Sequence, residues 1–452
     1  MARLKLSHQA WSTQTAFILA AIGSAVGLGN LWKFPYITGE NGGGAFVLVY
    51  LGCIVLIGLP ILIAELTLGR SGQASPPQAM AILAQEAKAS KSWVFLGVNG
   101  VLGGLFILSF YTVIAGWGLS YFFDSLSGQF IAMDADAAGV NFDALVSSSG
   151  QLIFWHSVVM IITVWIVSKG VKSGLEKAIN LMMPGLFIIL AILLGYATTT
   201  GAFSESFHFL FDPDFSKLTW NSVLIALGHA FFTLSLGFGT MMVYGSYIPA
   251  QYSIVRAALW IVVADTVIAL VAGLVIFSIV FGNNLAAGSG PGLLFQTLPI
   301  AFGQMSGGWI FGTLFFGMVV LAALSSSISM IEPGISWLEQ NWGYSRQKAA
   351  WSLGLATWAL GLGTVWSFNW LSDMHWIGQR NFFESLDFLT ANVMLPLGGL
   401  FTALFVGWVW SQTRRNQEIE LSNPMQKIFS ITIRWVAPIL VALVFVANLI
   451  QS

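Results

Sequence analysis

The chain has 452 residues, of which 56% are hydrophobic and 8% charged, and its formal net charge is −1. Its mean hydropathy is +0.80, whereas charged residues make up about a quarter of an ordinary soluble domain. This composition excludes a soluble globular domain and predicts a polytopic membrane protein, for which we expect the lipid bilayer, and no nucleic acid, as a partner.

A helix that crosses the hydrocarbon of a membrane needs about 20 mostly apolar residues. Eleven stretches of the sequence meet this requirement, and in chain order they lie near 12–37, 41–69, 94–123, 151–168, 175–197, 221–249, 253–282, 308–338, 348–367, 384–411 and 428–450. The longest polar interval, about 125–150, is expected to be an outer loop. We therefore expect an all-α protein with eleven transmembrane helices in one integral membrane domain, 1–452.

Basic residues indicate the orientation of these helices. Arg3 and Lys5 precede the first helix without the features of a removable signal peptide, so the N-terminus is expected to be a cytoplasmic tail. This orientation places 14 of the 18 lysines and arginines on the cytoplasmic side, as the positive-inside rule requires. With eleven helices the C-terminus is then external. The single cysteine, Cys53, excludes a disulfide within one chain.

Two of the predicted helices contain glycine-rich, polar stretches. The first is GSAVGLGNLWKFP at 23–35, and the second is FFTLSLGFGT at 231–240. Glycine lets the backbone leave helical geometry, and unwound backbone at membrane depth is tolerated where it is buried in protein or lines a cavity. The alternative is close helix packing through the GxxxG spacing of Gly23 and Gly27. Asn30 and the second glycine-rich stretch favour two broken helices.

The broken helices are the first and the sixth, which stand five helices apart. Two units of five helices would then cross the membrane in opposite directions, as in many secondary transporters, with the broken helices meeting near the midplane. The expected architecture is a 5+5 inverted repeat, about 12–197 and 221–411, followed by one extra helix at about 428–450.

Several stretches resemble one known family. GSAVGLGNLWKFP and ENGGGAF are similar to the first helix and first outer loop of the neurotransmitter:sodium symporters, SFYTVIAGW to the third helix, FFTLSLGFG to the sixth and ALSSSISMIEP to the eighth. The resemblance covers nearly the whole chain and points to the bacterial amino-acid members. It implies a leucine-transporter fold in a bacterial plasma membrane, and sodium-coupled amino-acid import without enzymatic activity. Many relatives have a twelfth helix that is missing here, so we expect a monomer to suffice for transport.

The resemblance implies two sodium sites. The ligands are all oxygen atoms, as a hard cation requires, and they come at the first site from Ala25, Asn30, Thr233 and Asp265 with the substrate carboxylate, and at the second from Gly23, Val26, Ala322, Ser325 and Ser326. Apart from the resemblance, serines in an apolar helix commonly bond back to carbonyls one turn earlier.

Asp265 is an ionisable residue inside a predicted membrane helix, which makes it a functional candidate by default. In the chloride-dependent relatives, the position that resembles Asp265 is an asparagine, and a serine stands one turn further on. This sequence has Ala269 in place of that serine. A fixed carboxylate would supply the negative charge that chloride supplies elsewhere, so chloride-independent transport is expected. After sodium leaves, a desolvated carboxylate favours a proton, so the cycle is also expected to be a proton antiport.

The resemblance also implies a substrate site at the two breaks. The amides of Leu28 and Gly29 and the hydroxyl of Tyr111 would take an α-carboxylate. Carbonyls and one hydroxyl would take the ammonium group, and they belong to Ala25, Phe232, Thr233 and Ser235. The side-chain pocket would be formed by Ile107, Phe232, Phe238 and Met330, and Ser326 is a further substrate-binding residue.

The apolar lining of this pocket suits leucine, tryptophan or tyrosine. Monoamine carriers of the family have an aspartate where this sequence has Gly27, so a substrate with a carboxylate is expected. The same aromatic and methionine side chains would also fit an ordinary core. An osmolyte or GABA-like carrier, and an amino-acid sensor that does not transport, remain alternatives.

Gates are implied on both sides. Lys33 and Asp387 resemble the outer ion pair, with Tyr111 and Phe238 as a lid beneath them. At the inner gate the matching residues are Trp11, Ser246 and Tyr247; the usual arginine and aspartate correspond to His8 and Gln340, unless Lys5 and Glu339 take their place. Gly174 and Pro184 resemble a motif at which the fifth helix unwinds and admits water to the second sodium site.

The remaining polar residues inside helices are expected to be structural. Glu65 is interpreted as a buried carboxyl, and His156 and His229 as packed residues, since no second metal-type ligand stands at a suitable spacing. An ion channel would need neither a zwitterion pocket nor paired gates. An intramembrane enzyme would need a nucleophile with its base, or a metal cluster, and the sequence offers neither.

Overall fold

The computed structural model describes residues 10–285 and 292–451, and the positions Lys5 and His8 lie outside this range. The described chain is almost entirely helical and contains no β-strand, only two isolated bridges, Gly43 with Pro213 and Ile377 with Arg380. The prediction of an all-α fold is therefore confirmed.

Eleven helical regions follow one another in the described residues, and we label them α1 to α11. The first and the sixth are each split into halves a and b. Their bounds are α1a Gln14–Ala25, α1b Gly29–Glu40, α2 Gly44–Gly72, α3 Lys91–Leu126, α4 Ser149–Ser168, α5 Val171–Ala197, α6a Trp220–Thr233, α6b Thr240–Ser246, α7 Ile254–Gly282, α8 Gly308–Trp342, α9 Arg346–Ser367, α10 Phe382–Val409 and α11 Asn423–Ala447.

Within the described residues, eight of these regions are single helices long and apolar enough to cross a membrane, and the two halves of α1 make a ninth when counted together. Of the other two regions, α6 is interrupted after a first half of 14 residues. The helix α9 is less apolar, with Arg346 and Lys348 in its first turn. A membrane-spanning fold is thus confirmed, while the number of eleven spans stays a prediction.

Short helices occupy several connections. The interval 125–150, expected to be a loop, contains the helix Ala135–Ser147, whose first turn is capped by the Asp134 carboxylate accepting from the Ala137 amide at 2.8 Å. Another helix, Gln412–Ile419, lies between α10 and α11. The remaining connecting helices include Pro76–Glu86, Phe203–Phe211 and Leu298–Gln304.

Both predicted breaks are present. The two halves of α1 are bent by 48°, and the bend begins where Val26 takes an extended conformation with ψ 106°. In α6 the break needs three left-handed residues, Ser235 at φ 53°, Gly237 at φ 82° and Gly239 at φ 72°. Glycine takes such a conformation at little cost, so the sequence SLGFG fits a break and not a continuous helix.

Close backbone packing holds α6b against α2. A Cβ atom added to Gly69 would lie 1.9 Å from the carbonyl oxygen of Met242, and one added to Gly245 would lie 2.4 Å from that of Leu66. Two glycines on facing helices therefore allow the backbones to touch. Cys53 lies on the same α2 helix and is buried.

Candidate functional site

The break of α1 faces a compact polar cluster from α6a and α7. The side-chain amide nitrogen Nδ2 of Asn30 donates to Asp265 Oδ1 at 2.8 Å and to Thr233 Oγ1 at 3.1 Å. The hydroxyl of Thr233 lies 3.0 Å from both carboxylate oxygens of Asp265. All three side chains are buried, and Ala25 ends α1a beside the break. The structure thus brings the side chains predicted for the first sodium site together.

Among the described residues, the Asp265 carboxyl has no basic partner. In the described part of the chain, its side chain accepts hydrogen bonds from Asn30 and Thr233 and forms no salt bridge. Burying an ionised carboxylate is costly unless an opposite charge or several hydrogen bonds compensate it. A cluster of oxygen atoms with one uncompensated negative charge fits a small hard cation.

A second cluster lies where α8 meets the end of α1a. The hydroxyl of Ser326 lies 3.3 Å from the carbonyl oxygens of Ser24 and Val26, and 3.5 Å from that of Gly23. Its oxygen is therefore surrounded by carbonyls that the break has released from helical bonding.

The neighbouring serines of α8 behave differently from Ser326. Ser325 donates to the Ala322 carbonyl at 2.9 Å, and Ser327 to the Ala323 carbonyl at 2.8 Å, both inside the same helix. Ser325 still faces α1a, because its Cβ lies 3.4 Å from a Cβ built on Gly23. The residues predicted for the second sodium site therefore converge, and Ser327 follows the ordinary back-bonded pattern.

A small cradle lies between these two clusters. The Leu28 amide donates to the hydroxyl of Tyr111 at 3.1 Å. A Cβ added to Gly27 would stand 2.7 Å from that hydroxyl and 2.6 Å from the hydroxyl of Ser326. An aspartate at this position would collide with both groups. The Ser235 hydroxyl is bonded to the carbonyl of Ser24 at 2.8 Å.

Apolar side chains close one side of the cradle. The rings of Phe232 and Phe238 meet edge to face, with centroids 6.3 Å apart. The carbonyls of Met330 and Phe238 both lie near Gly104, and Ile107 stands about one turn further along α3. Of the four predicted pocket side chains, Ile107, Phe238 and Met330 are buried, and Phe232 is partly exposed.

A cavity of about 350 Å³ opens above the cradle. Its lining includes Leu28, Tyr111, Phe232, Lys33 and Asp387. Lys33 and Asp387 face the same space, but among the described residues no salt bridge joins them, and the Lys33 ammonium lies 4.8 Å from the centre of the Phe232 ring. The outer ion pair is not formed in this conformation and stays a prediction.

On the side that is predicted to face the cytoplasm, called the inner side below, Trp11 packs against α6b. Its ring nitrogen donates to the Tyr244 carbonyl at 3.1 Å, and its amide to the Tyr247 carbonyl at 3.3 Å. Ser246 instead bonds back to Val243 at 2.6 Å, inside its own helix. Gln340 accepts from the Ser75 amide at 2.8 Å, so it ties α8 to the connection after α2.

The sequence matches the model of the sodium:neurotransmitter symporter family over residues 8–138 and 140–452. The chain belongs to this family. It is 37% identical over 449 residues to the sodium-dependent transporter YhdH of Bacillus subtilis (strain 168), with 97% of each chain covered. It is also 32% identical over 457 residues to a sodium-dependent transporter of Haemophilus influenzae, with 98% of each covered.

A solved structure of this symporter fold supports the same assignment. The structure of MhsT in complex with L-phenylalanine superposes with a TM-score of 0.91 at 41% identity, covering 98% of this chain and 100% of MhsT. Our 452-residue chain is therefore a sodium-coupled membrane transporter with a leucine-transporter fold, and not an enzyme.

The inner end of the symporter contains polar contacts that sequence analysis missed. Ser12 donates through its amide to Glu176 at 3.2 Å and also through its hydroxyl. Arg346 pairs with Glu332 at 2.5 Å and with Glu339 at 3.4 Å. Glu332 also accepts from the hydroxyl of Tyr247 at 2.9 Å. The available signals were single acidic residues in apolar stretches, in GLEK beside Gly174 and in SMIEP.

The fifth helix is wound throughout in this conformation. Its first turn, Val171–Glu176, is a wide π turn that contains Gly174. A Cβ on Gly174 would lie 2.0 Å from the Ile166 carbonyl oxygen, so α5 packs directly on the end of α4. Pro184 lies inside the following helix, and its neighbour Met183 touches Gly23. Unwinding between Gly174 and Pro184 stays a prediction.

Glu65, His156 and His229 are all buried. Glu65 is buried and accepts from the Gly237 amide at 2.8 Å, which supports the α6 break. The ring of His229 packs 5.4 Å from that of Tyr50, and His156 lies 3.2 Å from the Trp358 carbonyl. In the described part of the chain, no three His, Cys, Asp or Glu side chains form a group that could hold a metal ion.

Proposed function

We propose that this symporter imports hydrophobic and aromatic L-amino acids together with sodium, independently of chloride. The observation that carries the substrate class is the cradle at Gly27, Leu28 and Tyr111. It offers hydroxyl and amide groups sized for a carboxylate and leaves no room for an acidic side chain at Gly27. The apolar wall of Phe232 and Phe238 suits a large apolar side chain. L-phenylalanine in MhsT supports the same class.

Two sodium ions would bind beside this substrate. The first would lie at Asn30, Thr233 and Asp265, with the Ala25 carbonyl and the substrate carboxylate. The second would lie at Ser325 and Ser326, with carbonyls of Gly23, Val26 and Ala322. Substrate and first ion would then share a carboxylate, so each would raise the affinity for the other.

Chloride independence would follow from Asp265 and Ala269. Asp265 would supply a negative charge in the first cluster, and Ala269, buried one turn further along α7, offers no hydroxyl to an anion. Proton antiport would follow if Asp265 takes up a proton once sodium has left.

Alternating access would use the two halves of the chain as inverted repeats around the breaks. Lys33 and Asp387 would close the outer side above Tyr111 and Phe238, and Trp11, Ser246 and Tyr247 would close the inner side. Unwinding of α5 between Gly174 and Pro184 would admit water to the second sodium. A monomer in a bacterial plasma membrane, with its N-terminus inside and its C-terminus outside, would suffice.

Uptake into proteoliposomes tests this function. Radiolabelled leucine, tryptophan and phenylalanine would be supplied with an inward sodium gradient or with potassium, each in chloride and in gluconate, with an internal pH dye. We expect accumulation that needs sodium, ignores chloride and is accompanied by proton efflux.

Other results would assign other functions. Uptake that fails in gluconate would overturn the role of Asp265 and Ala269. Stronger competition by GABA or a betaine than by leucine would indicate an osmolyte carrier. Sodium-dependent binding without accumulation would indicate a sensor.

A further inference from the structure

A polar cavity of about 280 Å³ lies between the connecting helix Gln412–Ile419 and the beginning of α11. None of its lining residues belongs to the proposed transport site. Its lining combines amides, one hydroxyl, two cations and an apolar edge, and none of the described residues that line it carries a carboxylate. The lining residues include Gln412, Asn423, Lys427, Ser430, Arg434 and Trp435.

The cations at this cavity are not neutralised by the described protein. Arg434 donates to the Gly407 carbonyl at 2.6 Å, and Lys427 is exposed. Within residues 10–285 and 292–451 neither forms a salt bridge, whereas the neighbouring Arg414 is paired with Glu86 at 2.6 Å. Their positive charge is therefore available to an outside anion.

A third cation lies under the cavity floor. Arg415 is completely buried, donates to the Ser430 hydroxyl at 2.5 Å and to the Val406 carbonyl at 3.1 Å, and its Nε has no hydrogen-bond partner among the described residues. Burial and the nearby charge of Arg434 lower the pKa of Arg415 to about 10. A buried guanidinium held by neutral groups only is a costly arrangement, which an anion bound at Ser430 would relieve.

The edge of the cavity has the character of a membrane boundary. Trp408 and Trp435 are 52% and 54% exposed, and their ring centroids are 4.7 Å apart. Exposed tryptophans concentrate where lipid headgroups meet hydrocarbon. Ile428 and Ile431 on the first turns of α11 are also exposed. A ligand in this cavity would therefore meet cations at one end and apolar surface at the other.

We propose that this cavity binds the anionic headgroup of a phospholipid. Its phosphate would contact Lys427, Arg434 and the Ser430 hydroxyl, and its acyl chains would run along Ile431 and Trp435. A free phosphate would use the cations alone, but it would leave the apolar edge without a partner. The combination of both surfaces in one cavity favours the lipid.

Lipid binding to the purified full-length protein tests this site. Native mass spectrometry would count bound phosphatidylglycerol against phosphatidylcholine for the unmodified chain and for Lys427→Gln. The Lys427 side chain is exposed and forms no hydrogen bond in the described structure, so the variant should fold normally. Lys172→Gln, which removes an exposed lysine away from the cavity, is the matched control.

We expect the unmodified protein to prefer phosphatidylglycerol. One basic residue near an anionic lipid surface accounts for about a fivefold change in affinity, so Lys427→Gln should weaken that preference about fivefold and Lys172→Gln should leave it unchanged. Millimolar glycerol 1-phosphate should not displace the lipid. Equal binding of both lipids, equal loss in the two variants, or displacement by the soluble phosphate would each overturn the proposal.

Discussion

Ser12 and Glu176 tie the inner end of α1 to the first turn of α5. The Ser12 amide donates to one carboxylate oxygen at 3.2 Å, and the Ser12 hydroxyl donates to the other. Glu176 is buried and stands two residues after Gly174. One side chain therefore connects the inner half of the broken helix to the segment of α5 that is predicted to unwind.

Replacing the Glu176 carboxylate should loosen α1a. Glu176→Gln keeps the size of the side chain but removes its charge, and hydrogen bonds to charged groups contribute about 1.5 kcal/mol or more. Amide exchange in Gln14–Ala25 should then be about tenfold faster by hydrogen-exchange mass spectrometry. Glu86→Gln, which changes an exposed carboxylate, is the control. Unchanged exchange in Glu176→Gln would show that this contact does not hold the inner end closed.

Gly27 should not tolerate even one extra carbon. In Gly27→Ala the new methyl group would meet the hydroxyls of Tyr111 and Ser326 at 2.7 and 2.6 Å. Overpacking of this kind costs about 1–3 kcal/mol, so leucine binding should weaken roughly tenfold or more in a scintillation proximity assay. Gly52→Ala on α2, where an added Cβ would meet no described atom within 4 Å beyond its chain neighbours and the backbone of its own helix, should bind normally. Equal affinity of both variants would contradict the cradle.

Two adjacent serines of α8 should differ in sodium dependence. Ser326→Ala removes a hydroxyl that faces the carbonyls of α1, whereas Ser327→Ala removes one that is bonded back to Ala323. Loss of one ligand to a cation should raise the sodium concentration for half-maximal uptake about tenfold. Ser327→Ala should match the unmodified protein. A shift of the same size in both variants would mean that α8 stability, and not sodium ligation, was measured.

Chloride should become important when the Asp265 charge is removed. We expect Asp265→Asn to lose most sodium-driven uptake in gluconate, because the first cluster then lacks a negative charge. Adding Ala269→Ser should restore part of the uptake when chloride is present and not when gluconate replaces it. Unimpaired uptake by Asp265→Asn without chloride would show that the Asp265 charge does not take the place of chloride.

The buried pair of Arg346 and Glu332 should matter for stability far more than an exposed pair. Arg346→Gln leaves the fully buried Glu332 without its cation, and breaking a buried pair costs about 3–5 kcal/mol. Arg414→Gln breaks the exposed pair with Glu86, which should cost at most about 1 kcal/mol. Thermal unfolding in detergent compares the two. Similar melting temperatures would show that neutral groups satisfy Glu332.

Both helix breaks could be predicted from the sequence, because several glycines next to polar residues inside an apolar stretch are unfavourable in a continuous membrane helix. Without the family resemblance, the serines of LSSSIS that face α1 could not be predicted. Consecutive residues of a helix point about 100° apart, so the answer depends on how α8 is rotated against α1a. The structure resolves this by placing Ser326 at the released carbonyls.

Contacts between distant residues were beyond the reach of the motifs. Ser12 and Glu176 are 164 positions apart, and the single acidic residue in GLEK does not indicate which distant residue it contacts. The pairing of Lys33 with Asp387 shows a different limit, because motifs indicate which residues can meet but not the conformation in which they do. In this conformation both side chains line one open cavity.

The backbone of Gly69 packs against that of Met242, and the backbone of Gly245 packs against that of Leu66. These contacts join α6b to α2, so two parts of the inner side are held in different ways. Because main-chain atoms already touch there, α6b and the end of α2 move as one body or must first separate along their length. The inner end of α1 is instead held by separate hydrogen bonds of Trp11 and Ser12, which can release one at a time. We therefore expect opening toward the predicted inner side to cost the least free energy when α1a swings away and α6b stays with α2.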